Sequence, residues 1–323
     1  MPDGPTVSVV ICAYTEDRWP QLTKSVASVD AQTSPPIEII VCIDHNEELL
    51  RKSEEYFQKG RPAGAVPLIV LANKYNGHLG AARNTAAEVA SGEVLAFLDD
   101  DATATADWLE RLIVPYDDER VGAVGGAPLP VFEVMRPRWF PLEFDWIFGC
   151  AYRGLPPARA PLAHLIGANM SARRSALREV GGFHSDHQDD MDMCHRIAHA
   201  QHKVLYEPLA VVHHFVPASR TTWDYFWRKC YFANQQKVEV FANMRGASSL
   251  SAERSFVART LTVGALAEIR QVIRGDLYGL VRVGAMIAGI ALAGLGHLSG
   301  RFRIRSARRI SRGVGVRGRT SRT

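Results

Sequence analysis

The chain has 323 residues, of which 47% are hydrophobic and 22% charged, values that exclude a disordered or fibrous protein and predict one large globular domain with an appendage. Its formal net charge is +4, but nine arginines and no acidic residue lie between Arg301 and Arg322, which leaves about −5 for the preceding residues. The positive charge therefore belongs to a tail that suits anionic lipid headgroups or a solvated chain end, and no groove-reading motif accompanies it to indicate nucleic acid.

The first two hundred residues alternate short β-branched runs with amphipathic helical stretches. This alternation predicts an α/β fold with a parallel sheet flanked by helices. In chain order, we predict a strand at 7–13, a helix at 19–31, strands at 37–43 and 67–72, a helix at 78–91 and a strand at 94–98.

A segment rich in Pro, Trp and Phe (residues 128–161) separates this region from a second one, in which acidic residues head a predicted helix at 190–200. Further on, residues 283–296 form an uncharged apolar run of fourteen residues. A helix needs about 20 residues to span a bilayer, so we predict an interfacial or re-entrant helix followed by an arginine anchor. A buried core helix is the alternative.

Five cysteines are widely spaced and form no Cys-x-x-Cys pair. Cys12 and Cys42 lie in apolar, strand-like runs, where a thiol behaves as a small hydrophobic side chain. The first six residues lack the basic and apolar regions of a secretory signal. We therefore expect reduced cysteines and a cytoplasmic protein.

Carboxylates follow two of the predicted strands. Asp44 ends the second strand, and the triplet Asp99, Asp100 and Asp101 follows the strand at 94–98. In open α/β sheets ligands bind beyond the carboxyl ends of the strands, so these side chains are expected at one site. Adjacent carboxylates repel one another unless a cation balances them, which indicates Mn²⁺ or Mg²⁺ carrying a diphosphate. The alternative is an acidic turn that caps the next helix, using Asp101 and Asp107.

Five motifs occur in an order and spacing that resemble family 2 glycosyltransferases of the GT-A fold. They lie within residues 7–14, 78–85, 92–101, 181–183 and 189–196, and the resemblance continues to Val212-His213-His214, covering about residues 5–240. It implies a mixed GT-A sheet flanked by helices, with a nucleotide-sugar part at 1–127, an acceptor part at 128–240, and a helical extension at 241–323 that includes an apolar segment at 277–298.

The resemblance also implies roles on the donor side. The end of the first strand, Ala13 and Tyr14, and Asp44 would hold the nucleotide base and ribose, and the triplet would hold ribose and metal. Asp99 and Asp101 are the expected metal ligands, and His213 is the candidate for completing the metal shell, since His214 would point the other way in a strand. Arg83, near a helix N-terminus, either contacts the diphosphate or holds the acidic loop through a salt bridge.

On the acceptor side, the resemblance makes Asp190 the general base, because inverting transfer needs an ionised carboxylate within reach of the acceptor hydroxyl. Asp189 and Asp192 would flank it, one towards the acceptor and one paired with Arg196 four positions on. Asn169 is also assigned to the acceptor side. The chain has Gln235-Gln236-Lys237 without the Arg-Trp that processive relatives carry, which favours addition of a single sugar.

These residues predict an inverting transferase that uses a nucleotide diphosphate sugar, most often a UDP-sugar in this family, and a glycan or lipid-linked acceptor at the inner face of the cell membrane. A metal-dependent nucleotidyltransferase is the enzymatic alternative, but no glycine-rich, lysine-bearing loop follows the first strand. A sugar-nucleotide binding module without catalysis is the second alternative. The presence of both the Asp triplet and Asp190 argues against it.

Overall fold

The computed structural model describes residues 4–59, 61, 64–184, 188–242 and 256–317. The chain divides into two compact units. Unit 1 comprises Met1–Met135 and Phe148–Pro217, and unit 2 comprises Arg136–Ile147 and Ala218–Thr323. Residues 218–240 and the short segment 136–147 thus belong to the C-terminal compact unit. The predicted functional boundary near residue 240 stays a prediction.

Over its described residues, unit 1 is built on a mixed sheet of nine strands. The strands are β1 (Val7–Ala13), β2 (Glu38–Ile43), β3 (Leu68–Ala72), β4 (Val94–Asp99), β5 (Ala102–Ala104), β6 (Val121–Phe132), β7 (Ala160–Pro161), β8 (Asn169–Arg173) and β9 (Lys203–Val216).

The order of strands across the sheet is β3-β2-β1-β4-β8-β6-β9-β5, with β7 paired to β9. The first four strands in this order are parallel to one another, as the alternating sequence pattern predicted. β8 then runs antiparallel to both β4 and β6, and β9 runs parallel to β6. Because β1, β2 and β4 are parallel neighbours, their carboxyl ends lie together at one edge of the sheet.

Among the described residues of unit 1, six α-helices cover the two faces of the sheet: α1 (Trp19–Asp30), α2 (Glu47–Lys59), α3 (Leu79–Val89), α4 (Trp108–Ile113), α5 (Arg174–Glu179) and α6 (Asp189–His199). Alternate residues of β1 serve the two faces: Val9 packs in the core that holds α1, α2 and α4, and Val10 packs in the core that holds α3 and α6. A strand buried on both faces explains why the sequence of β1 is apolar without alternation.

The six elements predicted in the first hundred residues are present, with boundaries within two residues of the expectation. α2 was not predicted, because this mostly charged helix buries only Leu49, Ser53 and Phe57. All five cysteines are free thiols, as expected, and four of them are buried.

Unit 2 contains α7 (Trp223–Ala242), α8 (Thr262–Ile273) and α9 (Tyr278–Arg317). α7 and α9 pack closely, since a Cβ at Gly296 would collide with the carbonyl oxygen of Tyr231. Aromatic rings add to this core, and Phe144 lies 5.4 Å from Phe226 between ring centroids. The described contacts therefore make the C-terminal helices one packed unit.

The start of α9 is long and apolar enough to cross a membrane by length and composition, over Tyr278–Ser306, and only 28% of its most apolar window is buried. The helix is continuous past Arg282, whose guanidinium donates to Glu268 at 2.6 Å and Asp276 at 2.7 Å. The helix is therefore longer than the apolar run of fourteen residues, and its low burial disfavours the alternative of a core helix. The interfacial or re-entrant placement stays a prediction. The arginines beyond 306 lie outside the residues whose side chains are described.

Candidate active site

Asp44 lies at the carboxyl end of β2, where its backbone N–H donates to the carbonyl of Ala13 at 2.8 Å. Its Oδ1 accepts hydrogen bonds from Asn73 Nδ2 and His45 Nδ1, both at 2.7 Å, and its Oδ2 accepts one from the backbone of His78 at 3.1 Å. Burial raises the pKa of Asp44, but these hydrogen bonds lower the pKa by more, so it lies below its usual value. Asp44 is thus a fixed, ionised acceptor.

Tyr14 follows β1 at the same edge, with 56% of its surface exposed. Its carbonyl accepts a hydrogen bond from Asn46 Nδ2 at 3.2 Å, which ties the loop after β1 to the loop after β2. Ala13 itself is buried within the strand. The structure therefore brings Ala13, Tyr14 and Asp44 together, as expected for one side of a ligand site.

The Asp triplet lies next to this edge, because Asp99 in β4 is paired with Cys12 in β1. Asp100 and Asp101 are buried. Burial raises the pKa of Asp100 to about 7; Arg18 opposes the shift, and Asp101 and Asp99 add to it. Asp100 Oδ2 is buried and has no hydrogen-bond partner among the described residues. A cation at this position would relieve both the repulsion and the unsatisfied oxygen.

His214 completes a possible metal shell, since ligand atoms of Asp99, Asp101 and His214 all lie within 4.8 Å of one another. Two carboxylates and an imidazole suit Mn²⁺, and the carboxylates also suit Mg²⁺. His214 Nε2 lies 2.9 Å from Asp101 Oδ1, and Cys150 Sγ lies 3.5 Å from His214 Nδ1. Burial lowers the pKa of His214, but Asp101 and then Cys150 raise it to about 10. The residues present therefore fit a divalent metal, which would displace the proton on Nε2.

The choice of His213 as the metal ligand is corrected to its neighbour. His213 is exposed and His214 is buried, because successive side chains of β9 point to opposite faces of the sheet. The predicted alternation was right, but its phase was reversed.

Arg83 joins the Asp triplet to the second acidic motif. It is buried, and it donates to Asp189 Oδ2 at 2.8 Å, to the Gly167 carbonyl at 2.9 Å and to Asp99 Oδ1 at 3.4 Å. Burial lowers the pKa of Arg83, but Asp189 and Asp99 raise the pKa above its usual value, so it remains a cation. Of the two roles left open by the sequence, these contacts match the salt bridge to the acidic loop.

Asp190 lies beside this arginine at the start of α6. Its Oδ2 accepts a hydrogen bond from the Gly167 backbone at 3.0 Å, and its Oδ1 accepts one from the Met191 backbone at 2.8 Å. Burial, followed by the charge of Asp189, raises the pKa of Asp190 to about 6 against the opposing effect of Arg83. A carboxylate with a pKa near the working pH matches the requirements of a general base.

Two residues expected on the acceptor side are used inside the protein. Asp192 is buried and pairs with Arg196, as one of the two sequence interpretations held. Asn169 is fully buried; its Oδ1 accepts from Trp108 Nε1, and its Nδ2 donates to the Ala210 carbonyl, both at 2.8 Å. The assignment of Asn169 to the acceptor side is therefore corrected, since both ends of its amide are already bonded. Asp189 was also expected on the acceptor side, and its carboxylate pairs with Arg83.

Sequence reasoning missed three residues that contact this site: Arg18, Asn73 and Cys150. Asn73 follows β3 as Asp44 follows β2, so the strand-end rule that found Asp44 could also have found it. Arg18 and Cys150 reach the site through the tertiary fold, and no local pattern marks them.

The family model described as Glycosyl transferase family 2 matches residues 8–181. Among curated proteins, the chain is 33% identical over 239 residues to the glucosyl-dolichyl phosphate glucuronosyltransferase of Haloferax volcanii. The matched region covers 69% of this chain and 74% of the relative.

Two solved structures share the fold. The mannosyltransferase PcManGT from Pyrobaculum calidifontis, in complex with GDP-Man and Mn²⁺, has a TM-score of 0.57 at 21% identity and covers 95% of this chain and 87% of its own. GalNAc-T7 with UDP, GalNAc and Mn²⁺ has a TM-score of 0.54 at 19% identity, and the match covers 79% of this chain and 54% of that one. The predicted GT-A type mixed sheet with a C-terminal helical extension is thereby confirmed.

Proposed function

This chain belongs to glycosyl transferase family 2, and on that premise we propose that it transfers a single sugar from a nucleotide diphosphate sugar to an acceptor hydroxyl, with inversion at the anomeric carbon. It is a glycosyltransferase, so the nucleotidyltransferase alternative is set aside. The observation that carries the proposal is the buried Arg83, which connects the possible metal ligand Asp99 to the acidic motif that contains Asp190. One side chain thus contacts both the candidate donor site and the motif that contains the candidate base.

On the donor side, Tyr14 and the ionised Asp44 form the nucleotide end of the site, with Asp44 accepting from a uracil imide or a ribose hydroxyl. A UDP-sugar is the proposed donor. Asp99, Asp101 and His214 are the proposed ligands of Mn²⁺ or Mg²⁺. A metal bound there supplies charge neutralisation for the leaving diphosphate. The solved relatives with Mn²⁺ and a nucleotide or nucleotide sugar support this donor chemistry.

On the acceptor side, Asp190 is the proposed general base. Its two backbone hydrogen bonds fix the carboxylate, and the neighbouring Asp189 is paired with Arg83. Asp190 accepts the proton of the acceptor hydroxyl as that oxygen attacks the anomeric carbon, and the nucleotide diphosphate leaves from the opposite face. We retain as a proposal the division into a nucleotide-sugar part, residues 1–127, and an acceptor part, residues 128–240, with His214 of the second part added to the metal site.

We expect UDP and Mn²⁺ together to raise the melting temperature. Mn²⁺ neutralises the negative charge that the diphosphate adds beside the triplet, and the diphosphate balances the positive charge of Mn²⁺. Ligand at about a hundredfold excess over its Kd stabilises the folded state by about 2.7 kcal/mol, which is a shift of a few degrees. Thermal unfolding with UDP alone, Mn²⁺ alone and both measures this. Equal stabilisation by UDP in excess EDTA would show that Asp99 and Asp101 bind no metal.

The acceptor is proposed to be a glycan or lipid-linked hydroxyl, and the protein to bind the inner face of the cell membrane peripherally. The archaeal relative is named for a dolichyl phosphate substrate, which supports a lipid-linked acceptor. Unit 2 exposes large apolar side chains on α8 and α9, and the basic tail follows in sequence. The exposed apolar residues include Val263, Leu266, Ile273, Leu280, Val281, Ile287, Leu295 and Leu298.

Replacing Ile287 and Leu298 by Gln is expected to lower binding to anionic liposomes by about tenfold or more, since each buried aliphatic side chain contributes about 1.5–3 kcal/mol. These side chains are 64% and 62% exposed, so their loss leaves the core intact. Leu209→Gln in unit 1, where the side chain is 61% exposed, is the matched control and should bind as wild type. Sedimentation with liposomes measures the effect, and an unchanged double variant contradicts the proposed surface.

A further inference from the structure

Arg18 contacts the same carboxylates that form the candidate metal site. It ends the short 3-10 turn Glu16–Arg18, and its Nη1 lies 2.7 Å from Asp100 Oδ1 and 3.2 Å from Asp101 Oδ2. Its Nη2 donates to the Tyr14 hydroxyl at 3.0 Å. The guanidinium therefore bridges the nucleotide end of the site and the Asp triplet.

The charge of Arg18 is permanent. Burial lowers its pKa, but Asp100 and Asp101 raise the pKa above the usual arginine value. A divalent cation bound to Asp101 would share this carboxylate with the guanidinium. Two cations held by the same buried carboxylate repel each other strongly, because water screens them poorly there. Arg18 therefore opposes metal binding as long as it stays on the triplet.

Arg18 differs in this respect from Arg83, the other arginine on the triplet. The Arg83 side chain is 3% exposed and is fixed by Asp189 and the Gly167 carbonyl. The Arg18 side chain is 24% exposed and lies on a turn at the open end of the sheet, beside Tyr14. It can thus exchange its carboxylate partners for another anion, and its planar fork matches a phosphate.

We infer that Arg18 couples the binding of metal and nucleotide diphosphate: it competes with the divalent cation for Asp101, and the donor diphosphate draws it away from Asp100 and Asp101. This inference rests on the proposed function. It attributes to one side chain the effect that the metal and the diphosphate have on each other's affinity. Because coupling free energies are reciprocal, UDP then strengthens Mn²⁺ binding by the same factor by which Mn²⁺ strengthens UDP binding. An arginine that only bound phosphate would leave the affinity for Mn²⁺ alone unchanged.

The test is Mn²⁺ binding to the full chain, measured by electron paramagnetic resonance of free Mn²⁺ with and without UDP and corrected for Mn²⁺ bound by UDP itself. In Arg18→Gln, the affinity for Mn²⁺ alone should rise about tenfold, and the enhancement by UDP should fall by a similar factor. Arg18→Lys keeps the positive charge and should retain weak binding of Mn²⁺ alone. Arg111→Gln, which removes an exposed arginine paired with Asp107 in the same unit, should match wild type.

If Arg18→Gln binds Mn²⁺ alone with wild-type or lower affinity, or keeps the full enhancement by UDP, the inference is overturned while the proposed function stands. If the wild-type protein binds Mn²⁺ neither alone nor with UDP, the metal-dependent function fails and the inference fails with it. Thermal unfolding of each variant identifies any loss of folding. Should Arg18→Gln fail to fold, the Lys variant decides, since Mn²⁺ affinity above wild type would contradict charge competition.

Discussion

Asp190→Asn is expected to lower the rate of sugar transfer by about 10²–10⁴-fold while binding of UDP and Mn²⁺ survives. Asn preserves the size of the side chain but cannot accept the acceptor's proton. The nucleotide and metal ligands lie on other elements, so the donor affinity should change little. Initial rates of transfer and a calorimetric UDP titration separate the two effects.

The pH dependence gives the same residue an independent signature. Because burial and the charge of Asp189 raise the pKa of Asp190 to about 6, the carboxylate is ionised above that pH and protonated below it. Transfer by the wild-type protein should therefore fall as the pH drops through about 6. Asp190→Asn should lose this acid limb in whatever activity remains.

Asp192→Asn is the matched control, since it removes a negative charge from the same turn of α6. Asp192 pairs with Arg196, so the variant should be less stable but should transfer sugar within about tenfold of wild type. Near wild-type transfer by Asp190→Asn would place the base elsewhere, with Asp189 the next residue to test. A product that keeps the anomeric configuration of the donor would contradict inversion.

Much of the donor side was predictable because it depends on local sequence rules. Apolar runs define β1, β2 and β4, and parallel neighbours place their carboxyl ends together, which puts Asp44 beside the Asp triplet. The alternating pattern alone predicts a parallel sheet, and the mixed sheet was expected only from the family resemblance. β6 and β8 come from later parts of the chain, and nothing in the sequence of β4 indicates that it pairs with an antiparallel strand.

The sequence pattern predicted His213 as the metal ligand, whereas the structure places His214 beside Asp99 and Asp101. Near the histidines of β9, both faces of the strand carry apolar residues: Val211 and Phe215 lie on one face, and Val212 and Val216 lie on the other. Alternation is then evident without indicating which face is buried. Pairing with β5 and β6 on either side settles it, and those contacts are not encoded locally.

Asn169 was misassigned for a related reason. A polar residue in a motif that begins with a glycine, here Gly167-Ala168-Asn169, resembles a ligand contact, but the amide bonds to Trp108 and to the Ala210 carbonyl inside the sheet. A buried amide must be satisfied by partners that are distant in sequence. Its chemistry alone cannot distinguish a buried structural role from a role in binding.

Arg83→Met is expected to lower the free energy of unfolding by about 3–5 kcal/mol, because it leaves buried carboxylates without their counter-ion. Arg83 is 3% exposed and contacts both Asp189 and Asp99. Denaturant unfolding measures the loss. Arg83→Lys, which keeps the charge but not the fork that reaches the Gly167 carbonyl, should be destabilised less.

A double-mutant cycle with Asp189→Asn decides what the arginine does. If Arg83 mainly neutralises Asp189, the double variant should be more stable than the sum of the two single losses predicts, since neither charge is then left alone. Transfer near neutral pH should fall further in Arg83→Met than in the double variant, because the double variant loses the Asp189 charge that raises the pKa of Asp190 together with the Arg83 charge that lowers it. An Arg83→Met protein with wild-type unfolding energy and weakened UDP binding would instead show that the guanidinium faces the donor diphosphate, the role that the sequence left open.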